Sequence, residues 1–408
     1  MTKIRLIFFI ITLLVTGIVG TLAFMYAKGY RFNPENSKIQ PIGLFVAKSD
    51  PDGAQIYIDG KLKTATNSTI NLKTGNYDVE IRKDGYKSWK KRIGIEQEVV
   101  TEITANLFKS APSLTALTFT AVVNPTSSGD FTKIAYYVPA SKENLEDDKE
   151  GLWLIETLDL PLGFSQEPRR ITDGNPDNSS WEFSPNNQEI LLQTPTGVFL
   201  LETSLFTPQA KRVNISSTFS SILKKWDIDK KLKLETKVKR LPDELKELLL
   251  AKSAKVLFSP DGDKILYEAK ADFELSDNLI PQLPGSSTQE QNRSIKTGKI
   301  YTYDIKEDRN FLIATKEIAG DEECPKTNAI LISCSSSIVW YPTSLNLLVN
   351  KVDSVVIVDY DATNSQEVFA GSYVAPLAFP TTSDDRIIML TNLGANSSSS
   401  NLYSLSVK

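Results

Sequence analysis

VLFSPDGDKILY, residues Val256–Tyr267, is the stretch that decides how most of this chain folds. An apolar strand leads into an aromatic-Ser-Pro-Asp-Gly turn, and a second apolar strand follows it. Related stretches recur along the chain: WEFSPNNQEILL at 181–192, VWYPTSLNLLV at 339–349, AFPTTSDDRIIML at 378–390, and an eroded copy from Asn124-Pro125 through Lys133–Tyr137. Recurrence of one strand–turn–strand unit is the sequence signature of a repeat architecture.

A further strand follows each copy and ends near an acidic or polar residue. These strands are LWLIE at 152–156, VFLLE at 198–202, IYTYD at 300–304, VVIVD at 355–359 and LYSLS at 402–406. Units of three or four strands bury both faces of each sheet most simply by stacking around an axis. We therefore expect an all-β chain with a β-propeller over residues 111–408, of about five blades, six being the alternative. Leu114–Thr118 resembles the outer strand that the last unit lacks, so we expect it to complete the final blade.

The repeat resembles that of TolB-like β-propellers, whose pattern is Phe-Ser-Pro-Asp-Gly-x-x-Ile followed by Ile-Tyr-x-x-Asp. Phe258–Asp263 matches this pattern best and Phe183–Asn186 next, while the later copies keep an aromatic residue and a proline. The residues that carry the resemblance are Phe183, Ser184, Pro185, Phe258, Ser259, Pro260, Asp261, Gly262, Trp340, Pro342, Phe379 and Pro380. The resemblance implies a structural role for them in shaping the blades.

An uninterrupted apolar run, LIFFIITLLVTGIVGTLAFMYA, covers residues 6–27. A hydrocarbon core of about 30 Å needs about 20 helical residues, so the run predicts a transmembrane signal-anchor helix. The alternative is a cleaved signal peptide, whose apolar region is usually about 7–15 residues long and ends at a small-x-small site. The length of the run and its bulky C-terminal end favour the anchor. Basic residues flank both ends in nearly equal number, and we expect residues 1–5 in the cytoplasm and the bulk of the chain outside it.

The segment after the apolar run changes composition twice. Residues 28–41 are polar and rich in turn formers, and we expect a short stalk there. From 42 to 108 apolar residues alternate with polar ones in the strand period, as in QIYID at 55–59 and YDVEIR at 77–82. Short strands with one apolar face bury it by pairing face to face. This segment therefore predicts a small antiparallel β-sandwich.

SDPDGAQIYIDGK at 49–61 and LKTGNYDVEIRKDGYKSW at 72–89 resemble a PEGA domain. The matching positions are Pro51, Gly53, Ala54, Asp59, Gly60, Gly75, Tyr77, Val79, Gly85 and Tyr86. Asp52 replaces the glutamate of the family pattern, and Lys63–Thr66 stands where a Gly-x-Thr-Pro turn is usual. The matching residues are mostly turn formers, so the resemblance implies how the sheet bends and a cell-envelope setting, not a catalytic act.

Three insertions interrupt the propeller repeats, at 141–150, 219–253 and 272–298. The first is an acidic loop, and the third is rich in Ser, Gln, Asn and Pro, so we expect it to be mobile. Within the second, PDELKELLLA at 242–251 predicts the one inserted helix, whose apolar face docks on the propeller rim; a partner-binding helix is the alternative. The preceding KKWDIDKKLKLETKVKR, 224–240, is expected to form a solvated hairpin, and a contact with anionic lipid is the alternative.

The composition excludes several classes of function. The chain carries 46 Lys and Arg residues against 50 Asp and Glu residues and has no histidine. The net charge of −4 leaves no basic stripe for nucleic acid, and the lack of histidine removes the commonest general base and metal ligand. In an oxidising compartment Cys324 and Cys334 would close a short disulfide loop, and two free thiols are the alternative. Without histidine they make a poor zinc site.

A search for catalytic carboxylates or nucleophiles gives no candidate. The acidic runs Glu146–Asp148 and Asp321–Glu323, and the pair Asp227 and Asp229, lack the Gly and distal Glu of a calcium loop. No Gly-x-Ser-x-Gly, Walker or dinucleotide motif occurs. We therefore assign no catalytic, cofactor-binding or metal-binding residue from the sequence.

The helix, the two β-modules and the lack of a catalytic set predict a membrane-anchored extracytoplasmic binding or scaffold protein of the bacterial envelope. It would pass once through the cytoplasmic membrane and bind a protein or a cell-wall polymer. One alternative is an envelope hydrolase that acts on glycans with two carboxyl groups about 5–9 Å apart in the propeller channel. Another is a sensor that signals through a partner helix.

Overall fold

The computed structural model describes residues 3–27, 30–33, 38–140, 149–158, 167–175, 177–281, 287–315, 338–393 and 399–408. The chain divides into two compact units. Unit 1 consists of residues 1–107 and 282–290, and unit 2 consists of residues 108–281 and 291–408.

Helix α1, Lys3–Ala27, is the first element of unit 1. Its Ile4–Tyr26 segment, 23 residues with a mean hydropathy of 2.6, is long and apolar enough to cross a membrane. The hydroxyls of Thr12, Thr16 and Thr21 each donate to the carbonyl four residues earlier, at 2.8–2.9 Å. These three hydroxyls are thus satisfied by the helix itself, as a lipid environment requires. A signal sequence near the N-terminus has the same length and composition.

The PEGA-like segment forms two four-stranded sheets. The first sheet contains β1 Tyr30–Asn33, β2 Lys38–Asp50, β5 Ser68–Lys73 and β8 Val100–Asn106. The second contains β3 Gln55–Ile58, β4 Lys61–Ala65, β6 Gly75–Arg82 and β7 Trp89–Ile95, in the order β4-β3-β6-β7. Alternate residues of both sheets, among them Phe45, Ile56, Ile81 and Ile93, are fully buried in one core. The alternation of apolar and polar residues therefore buries one face of each sheet in the core of the predicted sandwich.

Two details of unit 1 differ from the expectation. Strand β8 pairs with β2 in parallel, so the sandwich is not purely antiparallel. Residues 30–33 pair with 38–41 as a hairpin, where a stalk is expected. Unit 1 also includes residues from the insertion at 272–298: Ser287 forms an antiparallel bridge with Ile93, and Thr288 Oγ1 donates to the Arg92 carbonyl at 2.7 Å.

Within the described residues, unit 2 contains five antiparallel sheets of three or four strands, which form the blades, and one two-stranded sheet. In blades 1 to 4 the strands of each sheet are paired in chain order. Blade 1 is β10 Val123–Ser127, β11 Lys133–Val138, β12 Gly151–Glu156 and β13 Arg169–Asp173. Blade 2 is β14 Ser180–Phe183, β15 Glu189–Thr194 and β16 Gly197–Glu202. Blade 3 is β17 Ser253–Phe258, β18 Lys264–Ala269, β21 Lys299–Asp304 and β22 Arg309–Thr315, with a hairpin of β19 Phe273–Glu274 and β20 Ser294–Ile295 inserted after β18. Blade 4 is β23 Ile338–Trp340, β24 Asn346–Asn350, β25 Ser354–Asp359 and β26 Gln366–Ala370.

Blade 5 combines the two ends of unit 2. It contains β27 Ala378–Pro380, β28 Arg386–Thr391, β29 Asn401–Ser406 and, as its outer strand, β9 Ser113–Ala116. Leu114 lies opposite Leu405, and Ala116 lies opposite Tyr403. The expectation that 114–118 supplies the missing strand is therefore confirmed by the strand pairing, and the described residues of unit 2 form a five-bladed β-propeller closed by β9.

Four pairs of neighbouring blades share an apolar core. Between blades 1 and 5, Ile134 and Tyr136 pack with Phe379 and Ile388, and between blades 1 and 2, Ala135 and Leu154 pack with Trp181 and Ile190. Between blades 3 and 4, Leu266 and Phe311 pack with Trp340 and Leu347. Between blades 4 and 5, Leu348 and Ile357 pack with Ile387 and Leu405. Each sheet in these pairs contributes the alternate residues of its strands.

Two helices occupy the remaining position, between blades 2 and 3. Helix α2 is Phe219–Val238 and helix α3 is Asp243–Ala251. Leu245, Leu248 and Leu249 of α3 pack with Ile265 and other residues on the face of blade 3 that is turned away from blade 4. Helix α2 contacts blade 2 through a 2.8 Å ion pair between Lys230 and Glu182. The two helices therefore stand where a sixth sheet would otherwise cover blade 3.

The prediction for α3 is confirmed, since its three leucines are buried against the propeller. The prediction of a hairpin at 224–240 is wrong, because α2 spans most of that stretch. Its buried residues are Trp226 and Val238 alone, so no helical stripe marks the sequence, and the alternation in KLKL resembles a strand. Lys, Leu and Glu, which fill the segment, are nevertheless strong helix formers.

Two leucines of α3 provide a test of this packing. Leu248 is fully buried and Leu250 is 39% exposed. We expect Leu248→Ala to lower the free energy of unfolding by about 2–5 kcal/mol, because it leaves a cavity against blade 3, and Leu250→Ala to lower it by less than about 1 kcal/mol. Both changes alter helix propensity equally. Urea unfolding of the full chain in detergent, followed by tryptophan fluorescence, measures the difference; equal losses would contradict the docking of α3.

Candidate functional site

A repeated side-chain turn joins the first two strands of the blades. In blade 3 Ser259 Oγ donates to Asp261 Oδ1 at 2.5 Å, the Asp263 N–H donates to the same oxygen at 3.0 Å, and the Lys264 N–H donates to Ser259 Oγ at 2.9 Å. In blade 2 Ser184 and Asn186 make the same three bonds, at 2.6, 3.2 and 3.0 Å. These motif residues therefore close the turn between the first two strands of each blade.

Blade 1 carries the same turn between its first two strands. Ser128 Oγ donates to Asp130 Oδ1 at 2.6 Å, and the Lys133 N–H donates to Ser128 Oγ at 3.0 Å. This turn lies inside the eroded copy that runs from Asn124-Pro125 through Lys133–Tyr137. Phe131, at φ 57°, takes the left-handed position that Gly262 takes in blade 3 at φ 79°.

Blades 4 and 5 keep less of the motif. Trp340 is buried and its Nε1 donates to the Leu257 carbonyl of blade 3 at 2.9 Å. Phe379 is buried in the core between blades 5 and 1, and Pro380 ends β27. Ser344, at φ 60°, takes the left-handed position of the blade 4 turn, after Pro342. All of these residues support the blades and their junctions.

Hydrogen bonds between loops of adjacent blades link four junctions of the ring. They are Gly129 N to Asn187 Oδ1 at 3.3 Å, Asp261 N to Ser344 Oγ at 3.0 Å, Tyr341 OH to the Asp384 carbonyl at 2.8 Å, and Thr382 Oγ1 to the Thr157 carbonyl at 3.2 Å. Between blades 2 and 3 the corresponding link runs through α2, where Lys233 Nζ donates to the Pro185 carbonyl at 2.6 Å. Helix α2 is thus part of the ring.

A cavity of about 800 Å³ opens at the axis of this ring. Three blades line the cavity: blade 1 contributes Asn124–Ser127, Gly129 and Asp130, blade 2 contributes Glu182–Pro185 and Asn187, and blade 3 contributes Val256 and Leu257. The segment before β27 contributes Val374–Leu377. Helix α2 contributes Lys230, Lys233 and Lys237. The lining is therefore the inner strands of the blades together with one face of α2. Ligand pockets are usually concave and about 300–1,000 Å³ in volume.

The charges of the cavity are divided between two walls. The three lysines lie on α2, and the two carboxylates, Asp130 and Glu182, lie on blades 1 and 2. Lys230 pairs with Glu182, Lys233 contacts a carbonyl, and Lys237 Nζ lies 5.1 Å from the centre of the Phe258 ring. The apolar remainder comes from Val256, Leu257 and residues 374–377.

The carboxylates of the cavity do not resemble a general acid and its partner. Burial acts to raise the pKa of Asp130, but hydrogen bonds from Ser128 and Thr132 outweigh it and lower the pKa below the ordinary 3.8. Glu182 is ion-paired and half exposed. A glycosidase acid needs a raised pKa, whereas the pKa of Asp130 is lowered.

Other predicted features lie partly beyond the described residues. Cys324, Cys334, the acidic run Glu146–Asp148 and the acidic run Asp321–Glu323 fall outside them. Asp227 and Asp229 lie on α2. Within the described ranges no three Cys, Asp or Glu side chains approach closely enough to hold a metal ion.

The PEGA motif residues shape turns in unit 1. Asp59 and Gly60 adopt φ values of 48° and 76°, and Asp59 Oδ1 accepts a hydrogen bond from the Asp78 N–H at 3.0 Å. Pro51, Gly53, Gly75, Gly85 and Tyr86 lie at strand ends or turns, Ala54 is fully buried, and Tyr77 OH donates to the Lys73 carbonyl at 2.9 Å.

At residues 63–66, where the sequence departs from the PEGA pattern, other residues form the turn. Thr66 Oγ1 accepts a hydrogen bond from the Ala54 N–H at 3.0 Å and lies 2.7 Å from Ser49 Oγ. Asn67 then takes the left-handed conformation, at φ 64°. A buried hydroxyl and an asparagine therefore make the turn for which the family pattern has glycine and proline.

The lysines and apolar residues of the cavity were not identified from the sequence. Lys230, Lys233 and Lys237 share one helical face, spaced i, i+3 and i+7, and this signal is visible only if 219–238 is interpreted as a helix. Val374–Leu377 belongs to no strand and carries no motif. Its place at the axis depends on ring closure.

Comparison with known proteins identifies the family of one segment of the chain. Residues 43–111 match the PEGA domain family model, so this segment is a PEGA domain. No curated protein matches the chain. One similar solved structure is a TolB-like protein from Agrobacterium tumefaciens, with 10% identity, coverage of 71% of this chain and 80% of that chain, and a TM-score of 0.23. A second is TolB from Acinetobacter baumannii, with 11% identity, coverage of 87% of this chain and 63% of that chain, and a TM-score of 0.22. A third is the AfRom2 CNH domain, with 10% identity, coverage of 72% of this chain and 98% of that chain, and a TM-score of 0.29. At these TM-scores the likenesses carry no weight, and the propeller rests on its strand pairing: the chain is a PEGA-domain β-propeller protein with an apolar N-terminal helix.

The blade turns predict how stability depends on pH. The pKa values of Asp130 and Asp261 are both lowered from 3.8, because hydrogen bonds to the carboxylates outweigh the effect of burial. As the pH falls, these carboxylates therefore take up protons in the unfolded chain at a higher pH than in the folded chain. The stability that the turns provide above pH 3.8 is lost as the pH falls below that value. We expect Asp130→Asn/Asp261→Asn, which keeps an acceptor oxygen as Asn186 does, to flatten the fall of unfolding free energy between about pH 5 and pH 2.5. Asn186→Asp should steepen it, and curves parallel to wild type for both variants would refute the assignment.

Proposed function

We propose that this chain is a binding or scaffold protein of the bacterial envelope, tethered by α1 with both units on the extracytoplasmic side. Its propeller would present the axial cavity and the surface around it to a protein or a cell-wall polymer. It would have no catalytic activity of its own. The observation that carries this proposal is an axial cavity of about 800 Å³ whose carboxylates are already engaged.

The composition of the cavity supports binding over bond cleavage. Asp130 is held by the hydroxyls of Ser128 and Thr132 within its own turn, and Glu182 by Lys230. A hydrolytic site would need one carboxyl group kept protonated near neutral pH and a second placed to attack or activate water. The apolar and lysine-bearing walls instead offer contact area and charge.

The location is supported by α1 and by the PEGA domain. Helix α1 is long enough to span a bilayer, since 23 helical residues cover about 35 Å. An uncleaved helix would keep the β-units at the membrane surface, where a propeller can engage components of the envelope. No described feature of unit 2 is a second membrane-spanning helix.

Sidedness is tested with protease. We expect protease added to cells with a permeable outer barrier and a sealed inner membrane to remove the propeller, and an alkaline carbonate wash to leave the intact chain in the membrane. When fused after Lys408, a reporter that works only outside the cytoplasm should be active, and a reporter that works only in the cytoplasm should be inactive. Resistance of the propeller to protease until the inner membrane is broken would overturn the orientation, and release by carbonate would indicate a cleaved signal peptide.

Binding at the cavity mouth is tested with a photo-crosslinking amino acid at two positions of equal exposure. Val374 lines the cavity and is 40% exposed, while Leu250 of α3 does not line it and is 39% exposed. We expect an adduct with an envelope component from position 374 and none from position 250. Digestion of the adduct with a protease or with a wall hydrolase identifies the partner as protein or polymer. Identical adducts from both positions, or cytosolic proteins alone, would contradict the proposal.

A further inference from the structure

We propose that the axial cavity binds an acidic peptide segment of a partner protein, with Lys233 and Lys237 contacting its carboxylates and the inner strands contacting its backbone. The inference rests on the proposed binding function and names the chemistry of the ligand. Three independent features of the cavity support it.

The first feature is an excess of positive charge on the α2 wall. Lys230, Lys233 and Lys237 follow one face of the helix over about 10 Å. Lys230 is neutralised by Glu182, while Lys233 contacts a neutral carbonyl and Lys237 lies over an aromatic ring. In the described part of the chain, a carboxylate partner is found for Lys230 but not for the other two. Two ammonium groups at the cavity are therefore available for an anionic ligand, in a chain whose net charge is −4.

The second feature is the apolar surface on the other walls. Val256 and Leu257 of β17, and Val374 and Leu377 before β27, line the same cavity. A small inorganic anion or a polyol phosphate would gain little from these side chains. A peptide that combines acidic with apolar residues buries its apolar groups there, at about 25 cal/mol per Å², while its carboxylates meet the lysines.

The third feature is the free edge of the inner strands. Strands β10, β14 and β17 are each the first strand of their sheet, and among the described strands each pairs with a neighbour on one side only. Their other edges are turned to the axis, and residues of all three line the cavity. An extended peptide satisfies such edges with its own N–H and C=O groups, which is the usual way in which a strand edge recognises a peptide. This favours a peptide over a glycan or phosphate polymer.

The test uses the full chain in detergent and a set of fluorescein-labelled octapeptides in which Asp or Glu alternates with Leu, Val or Phe. We expect fluorescence anisotropy to show saturable binding that weakens as salt rises from about 50 to about 500 mM, because the lysines are partly exposed to solvent. Lys233→Gln/Lys237→Gln should weaken binding by about tenfold or more.

A matched control lies on the same helix. Lys224 and Lys231 do not line the cavity, and Lys231 pairs with Glu235 at 3.8 Å. Lys224→Gln/Lys231→Gln makes the same change of net charge, and we expect it to change affinity by less than twofold. Circular dichroism and thermal unfolding verify that both double variants are folded.

Three outcomes would overturn the inference. They are no binding of any acidic octapeptide to wild type, equal losses in the two double variants, and equal binding of peptides in which Asn and Gln replace Asp and Glu. Inorganic polyphosphate that binds and displaces no peptide would identify a separate anion site. The crosslinking and protease results can hold in each of these cases, so failure here is distinguishable from failure of the proposed binding function.

Discussion

Backbone pairing between β9 and β29 is the interaction on which the rest of unit 2 depends. A blade is apolar on both faces, so none of the five sheets is stable unless it has a neighbour on each side. Blade 5 bridges blade 4 and blade 1, and its outer strand comes from the other end of the unit. Thr118 Oγ1, which donates to Asn401 Oδ1 at a separation of 283 residues, extends this closure beyond the strands. The cavity exists because the pairing holds the inner strands around an axis.

The helical insertion shows that ring closure does not require every position to be a sheet. Leucines of α3 cover blade 3 as the alternate residues of a blade would. The substitution changes what faces the axis: a sixth sheet would present a strand edge, whereas α2 presents lysine side chains. The asymmetric charge of the cavity therefore follows from this replacement. It also explains why the number of blades, five, is lower than the number of positions in the ring.

Much of the architecture could be predicted because it is written in local patterns. The turn of Phe258–Gly262 identifies a blade, and the apolar alternation of 114–118 identifies the strand that closes the ring. The blade 1 copy is eroded in sequence because Phe131 replaces the glycine of the pattern, although the hydrogen bonds of Ser128 and Asp130 stay the same. The hairpin predicted at 224–240 failed because a helix with two buried residues has almost no apolar stripe. The cavity could not be predicted at all, since Val256, Val374 and Lys233 meet only through long-range closure.

Closure by β9 also has a consequence for biosynthesis. Ribosomes make the chain from its N-terminus, so β9 emerges before blade 1 and must wait until β29 has been translated before it finds its partner. Blades 1 to 4 can assemble one after another during this interval, each on the one before, but the nascent ring stays open with a free apolar face at each end. Holdase chaperones that shield exposed strands would act on this protein late, and a stalled or prematurely terminated translation product lacking β29 would be a preferred substrate for quality-control proteases.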